Sequence, residues 1–177
     1  MSLSVNRQPC RLSRPGVVCS LGDDLETIAD ALFAGQRGLT SSAALTPERA
    51  LPLGMVICAL PYWDDWPPEQ RSRNNRLLAL AMQRLNETLD TLRESVAPER
   101  IGVVIGTSTS GISETESAIA EAGREGPLPE TFRYANQELG APAHFVAERI
   151  GALGPVYSIS MACSSSARAL ALSLIHI

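Results

Sequence analysis

Long hydrophobic runs are missing from these 177 residues. Nowhere do the roughly 18 consecutive apolar residues needed to cross a bilayer occur, so no membrane insertion is expected. Histidine is scarce: only His144 and His176 are present, and the four cysteines, Cys10, Cys19, Cys58 and Cys163, show no C-x-x-C spacing. That scatter argues against a zinc site, so no metal is expected, and so sparse a cysteine set does not make a disulfide framework. Clusters of Lys/Arg interleaved with aromatics are absent too, and the formal net charge is −4. A polyanion-binding surface needs the opposite balance, which removes nucleic acid as a partner. The opening MSLSVNRQPCRLSRPGVVCS has no uninterrupted apolar core, because Arg11, Arg14 and Pro15 divide it. No secretory signal is read there, and a reducing cytoplasm is the expected location.

What is present suffices for one globular domain: 45% of the residues are hydrophobic and 19% charged. In DDLETIADALFAGQRG, Asp23 or Asp24 can cap a helix whose apolar positions Leu25, Ile28, Ala29 and Leu32 recur at helical spacing, with Gly35 as its stop. Met55 to Leu60, flanked by Gly54 and Pro61, has the length and β-branched content of a buried strand. PYWDDWPPEQ follows as a loop. Leu78, Met82, Leu85, Leu89, Leu92 and Val96 fall three or four apart, which predicts one amphipathic helix from Arg71 to about Val96.

Arg100 to Gly106 reads as a strand covered on both faces, leading into a polar loop from Thr107 to Gly111. Ser113 and Glu116 have capping-box spacing for a helix ending near Gly123. Pro142 suits the first position of a helix running to Gly151, since proline lacks only an N–H that would be unpaired there. Val156 to Ser160 is a further strand and Ala162 to Leu170 a small-residue helix. The alternation predicts a layered α/β fold.

Chemistry concentrates at Tyr157-Ser-Ile-Ser-Met-Ala-Cys-Ser-Ser-Ser-Ala-Arg-Ala-Leu170, where Cys163 sits between a strand and a helix start. The thiolate is the reactive form of cysteine, and the free N–H groups and partial positive charge of a helix N-terminus favour it. Small neighbours, Ala162 and Ser164 to Ser166, leave room for a substrate. The competing reading is a free cysteine packed as a small hydrophobe. Gly106 and Gly111 have the glycine spacing of a phosphate loop, but Ile112 stands where its lysine is required. Gly106-Thr107-Ser108-Thr109-Ser110 lacks the final glycine of a serine-hydrolase elbow. A Cys/His protease would have to use His144, which reads as a surface or packed helix residue.

Three segments decide between these readings. ISMACSSSARAL resembles the nucleophile motif of the β-ketoacyl-acyl-carrier-protein synthases, condensing enzymes of the thiolase-like superfamily. Gly16-Val-Val-Cys-Ser-Leu-Gly22 with the DALFAGQRGL helix is similar to the family's opening strand and helix, although Arg11 to Gly16 departs from its usual hydrophobic strand and Thr-Gly. Ile101-Gly-Val-Val-Ile-Gly-Thr-Ser-Thr-Ser-Gly111 looks like its strand and acyl-pocket loop. The resemblance spans roughly Cys10 to Ala171.

It implies a thiolase-like layered α/β/α fold, present here as the N-terminal half of a two-half architecture. It implies Cys163 as the nucleophile that takes an acyl group from acyl carrier protein or coenzyme A, its own backbone N–H contributing to an oxyanion hole. Ser108 and Thr109 are implied at the acyl pocket, with Thr109 along the acyl chain's path. Malonyl-carrier protein then loses carbon dioxide and its carbanion attacks the acyl-enzyme, as in fatty acid or polyketide-type synthesis; the divergence at the N-terminus suggests a specialised route such as aryl polyene assembly. No cofactor is implied. The implied partners are acyl carrier protein and a second synthase subunit, in a homodimer or a ketosynthase heterodimer. The family's two histidines, a lysine and a glycine-rich oxyanion loop belong to a second half with no counterpart here.

Residues 1–171 are therefore expected to be a truncated synthase N-terminal domain. The final Leu172-Ser-Leu-Ile-His-Ile177 can be encoded by CTG-TCT-CTT-ATA-CAC-ATC, which resembles a transposase end used as a sequencing adapter, and 172–177 are expected to be a non-native tail. A rival function is a non-catalytic partner subunit of the chain-length-factor type. Such partners typically replace the cysteine. A non-decarboxylating thiolase shares the fold but surrounds its cysteine with other residues.

Overall fold

The computed structural model describes residues 10–123 and 126–175. At its centre lie two parallel strands, β3 (Val103–Gly106) and β4 (Val156–Ile159), in the register Val103↔Val156 to Gly106↔Ile159. The first takes shape from the β-branched run Val103-Val104-Ile105. Backbone bonds extend the pairing at both ends, from Val103 N to Pro155 O at 2.8 Å and from Thr107 N to Ile159 O at 3.1 Å. A parallel pair requires a crossover connection. Here it carries α4 (Ile112–Ala122) and α5 (Ala141–Ile150).

The core forms where α5 meets this pair: Ile101, Val103, Ala143, Ala147, Ile150 and Ala152 are buried together, with Met82, Leu89, Leu92, Val96, Ile105, Val146 and Val156 against them. Ala143 and Ala147 have short side chains, which lets the helix backbone approach the strands. Gly151, left-handed at φ 68°, ends α5 as its position predicts. Side chains alternate along a strand, so Val103 and Ile105 face α5 while Gly106 faces the other way. A Cβ on Gly106 would stand 2.7 Å from Ser166 N and closer still to the Ser165 carbonyl oxygen. The last helix, α6 (Ser165–Ile175), therefore covers the opposite face, giving helix, sheet and helix in layers.

Before this centre come α1 (Leu25–Phe33), a hairpin of β1 (Thr40–Ser42) and β2 (Leu51–Leu53), and the helices α2 (Arg73–Gln83) and α3 (Asn86–Ser95). Asp24 caps α1, accepting from Thr27 N at 2.9 Å. Hydrogen bonding from Thr27 holds its carboxyl below the usual carboxylate range.

Four local expectations change. The helix predicted across Arg71 to Val96 is two helices, broken at Arg84-Leu85, although the apolar spacing passes through the break. The N-terminal segment crosses there. A Cβ on Gly16 would overlap the Ala81 carbonyl oxygen and come within 3.0 Å of Leu85 Cγ, while Arg84 Nε donates to Asp23 O at 2.8 Å and its guanidinium pairs with the Asp23 carboxylate. Bonds from Arg84 N to Ala81 O and from Leu85 N to Met82 O tighten the end of α2.

Met55 to Leu60 is not a strand, and Ile57 is 84% exposed. Arginines from α2 take carbonyls that a ladder would have used: Arg73 Nη2 donates to Val56 O at 3.2 Å and Arg76 Nη2 to Leu60 O at 3.0 Å. The opening strand implied around Gly16 to Ser20 is reduced to a bridge between Cys19 and Gly22, a tight turn closed by a bond from Cys19 N to Gly22 O at 2.9 Å and one from Gly22 N to Cys19 O at 3.2 Å. Finally, Ser113 does not cap α4. The helix starts two residues earlier, with Gly111 as its N-cap, because Gly111 is anchored by a 2.7 Å bond from its N–H to Asn136 O, and Ser113 Oγ donates to the Glu114 carboxylate at 3.0 Å.

No helix of the described residues is long and apolar enough to cross a membrane. Among them no group of His, Cys, Asp or Glu could hold a metal ion.

Candidate active site

The register of β3 with β4 puts the two segments singled out in the sequence at one end of the sheet. The Thr107 to Gly111 loop leaves the carboxyl end of β3, and the Ser160 to Ser164 turn leaves the carboxyl end of β4 beside it. Open α/β sheets bind ligands outside the carboxyl ends of their strands. Ser108, Thr109 and Cys163 are all exposed at that end.

Cys163 lies in a single 3-10 turn, Ala162–Ser164, just before α6. Ala162 has φ 47°, the one non-glycine residue at positive φ among those described. A residue with a Cβ pays roughly 1–2 kcal/mol for that region, so the surroundings must enforce it. They do so with serines. Ser165 Oγ accepts from Met161 N at 2.9 Å and donates to Ala162 O at 2.8 Å, while Ser164 Oγ and N donate to Met161 O at 2.9 and 3.1 Å. The Met161 and Ala162 carbonyls and the Met161 N–H are thus bonded within the turn. Among the described residues, neither Cys163 Sγ nor its backbone N–H has a hydrogen-bond partner; the thiol is free and exposed.

Gly106 supplies the seat for this arrangement, because only a residue without a side chain lets the start of α6 lie directly on β3. The neighbouring loop is held by Thr107, whose Oγ1 donates to Thr109 O and accepts from Thr109 N at 3.2 Å. Thr109 Oγ1 approaches only Ser110 O, at 3.5 Å. His144 is exposed on α5, on the other face of the sheet from α6. A cleft of about 540 Å³ lined by Trp63, Arg71, Glu114, Phe132 and Arg133 includes neither Cys163 nor Thr109.

The sequence identified Cys163 and its strand-helix junction but passed over Gly106 as a packing residue and Ser165 as a clamp. A serine at a helix start was the available signal for Ser165, since such side chains bond nearby backbone groups. Which backbone groups it takes is set by the turn.

The expected non-native tail begins at Leu172. The structure continues α6 through Leu172 to Ile175, whereas His176 and Ile177 lie outside the described residues.

Comparison with known proteins agrees with this geometry. Residues 16–177 match the family described as β-ketoacyl synthase, N-terminal domain. Among solved structures the chain is similar to one described as a ketosynthase, ApeO, in complex with its chain length factor, ApeC, from Xenorhabdus doucetiae. The identity is 34% and the TM-score 0.78, over 93% of this chain and 44% of that one. The chain therefore spans less than half the length of that relative. No curated protein matches it.

Proposed function

The chain belongs to the β-ketoacyl synthase family through its N-terminal domain, with that family's thiolase-like α/β fold, and on this premise we propose that Cys163 is the nucleophile of a decarboxylating condensing enzyme. One observation carries the reading. Cys163 is exposed and unpartnered on a turn whose Met161 and Ala162 carbonyls and Met161 N–H are already bonded, at the carboxyl end of paired parallel strands.

In this reading the Cys163 thiolate attacks the carbonyl carbon of an acyl thioester. The electron pair of the C=O bond moves to oxygen, and the unpartnered Cys163 N–H is available to donate to the resulting oxyanion. The intermediate collapses with release of the carrier's thiolate, leaving the acyl group on Sγ. A malonyl thioester then loses carbon dioxide, its carbanion bonds to the acyl carbon, and Cys163 leaves as thiolate. Covalent catalysis divides the reaction into two easier steps. Donors for the malonyl oxygen come, by family resemblance, from a second half beyond this sequence. The carrier is acyl carrier protein, the setting is fatty acid or polyketide-type synthesis in the cytoplasm, and Ser108 and Thr109 border the acyl group. The ketosynthase and chain-length-factor pairing of the solved relative favours a dimer for the parent of this chain as well.

Incubation of the longer parent with an acyl-carrier donor, followed by mass spectrometry, tests the assignment. An acyl adduct on Cys163, lost in Cys163→Ala, is expected. An adduct elsewhere overturns it, and no adduct at all places the parent with non-catalytic partner subunits. The chain of 177 residues by itself is expected to be inactive and poorly folded, because apolar α6 leaves Leu170 and Leu174 exposed at 60% and 54%. Condensation product from the isolated chain would refute that.

A further inference from the structure

Resting on the reading of Cys163 as nucleophile, we propose that Ser165 is its positioning residue: the buried Ser165 hydroxyl holds the strained backbone that presents the thiol and leaves the Cys163 N–H free to donate.

Ser165 is 5% exposed, whereas Ser164 and Ser166 on either side are exposed. A buried hydroxyl needs partners, and this one uses both its functions, accepting from Met161 N and donating to Ala162 O. Those groups lie on the two sides of the φ and ψ torsions of Ala162, the residue held at φ 47°. With both tied to one oxygen, Ala162 cannot relax without breaking a bond to this buried hydroxyl. Cys163 follows Ala162 directly, so the same constraint fixes where Sγ and the Cys163 N–H point. Ser164 also bonds the turn, through Met161 O, but it is open to solvent and water can replace its hydroxyl. Water has no comparable access to Ser165. The start of α6 is pressed against Gly106 on the other side, so the turn cannot shift as a body to compensate.

A purely structural serine would lower stability and leave the chemistry of the folded enzyme alone; a positioning serine slows acylation in enzyme that remains folded. The experiment compares the longer parent with Ser165→Ala and Ser165→Thr. Readouts are the rate of acyl transfer onto Cys163 by mass spectrometry, the pH profile of iodoacetamide alkylation of Cys163, and circular dichroism. Ser165→Ala is expected to fold and to acylate roughly ten- to a hundred-fold more slowly, the scale of a small misplacement of a reacting group, with an altered alkylation profile. Ser165→Thr, which keeps the hydroxyl, restores most of the rate. Acylation of Ser165→Ala within two-fold of the parent overturns the proposal, as does a rate lost equally in both variants while both stay folded. If Ser165→Ala does not fold, Ser165→Cys, similar in size but a weak hydrogen-bonding group, takes its place under the same criteria, with labelling mapped to the Cys163 peptide. Failure of the nucleophile assignment is separate: the parent itself would then carry no adduct on Cys163.

Discussion

Two helices cover the faces of the β3–β4 pair, and they are built differently. α5 has a buried side of Ala143, Phe145, Ala147 and Ile150 and an exposed side of His144, Glu148 and Arg149, as expected of a helix between core and water. In α6, Ser165 and Ala169 are buried toward the strands, yet the exposed positions include Ala167, Leu170, Ala171 and Leu174. Apolar side chains left exposed beside Ser166 and Arg168 call for cover from a further layer. α5 is packed within this chain, whereas α6 keeps apolar side chains uncovered, which a second layer would cover on the proposed reading. The Cys163 turn opens this helix. Its bonding by Ser164 and Ser165 is internal to the turn and does not depend on what covers the outer side of α6.

The largest expected effect lies on the α5 side. Phe145 is 1% exposed, with its ring centroid 5.1 Å from that of Trp66 and the Arg149 guanidinium carbon 5.1 Å from its centroid. Phe145→Ala should destabilise the longer parent by about 3–5 kcal/mol in urea denaturation. A loss below 1 kcal/mol would show that α5 is not the organising helix. Next comes the seat of α6. Gly106→Ala sets a methyl group against the Ser165–Ser166 backbone and is expected to cost about 1–3 kcal/mol and to slow Cys163 acylation; unchanged melting temperature and acylation would mean that α6 can slide on β3. The smallest and most discriminating effect is a change of sign. Leu170→Asp should reduce dye binding and aggregation of the isolated chain while lowering the melting temperature of the parent. Improvement in both would remove the case that α6 is covered by a second layer.

Much of the α5 side was legible in advance. Pro142 and Gly151 bracket the helix through restrictions of single residues, and Arg100 to Gly106 and Val156 to Ser160 read as strands from a few neighbouring side chains, within which β3 and β4 form. Cys163 was also legible, because its motif and its place after a strand are local. The break at Arg84-Leu85 was not. Nothing in α2 or α3 signals it, since the cause is a segment some 60 residues earlier in the chain lying across the helix. The failure of Met55 to Leu60 as a strand has the same origin: arginines of α2 claim its carbonyls before a neighbouring strand can.

By itself, then, the sequence determined the alternation of helices and strands, the turn-forming glycines and prolines, and the placing of Cys163 between a strand and a helix start, all of which depend on residues within a turn or two of one another. Only the tertiary structure decided that Ala162 would be held at positive φ, that Ser165 rather than Ser164 would be buried beneath it, and that Gly106 would meet the start of α6. Those features require β3, β4 and α6 to be stacked before any of the bonds can form, and side-chain spacing along the chain does not encode that stacking.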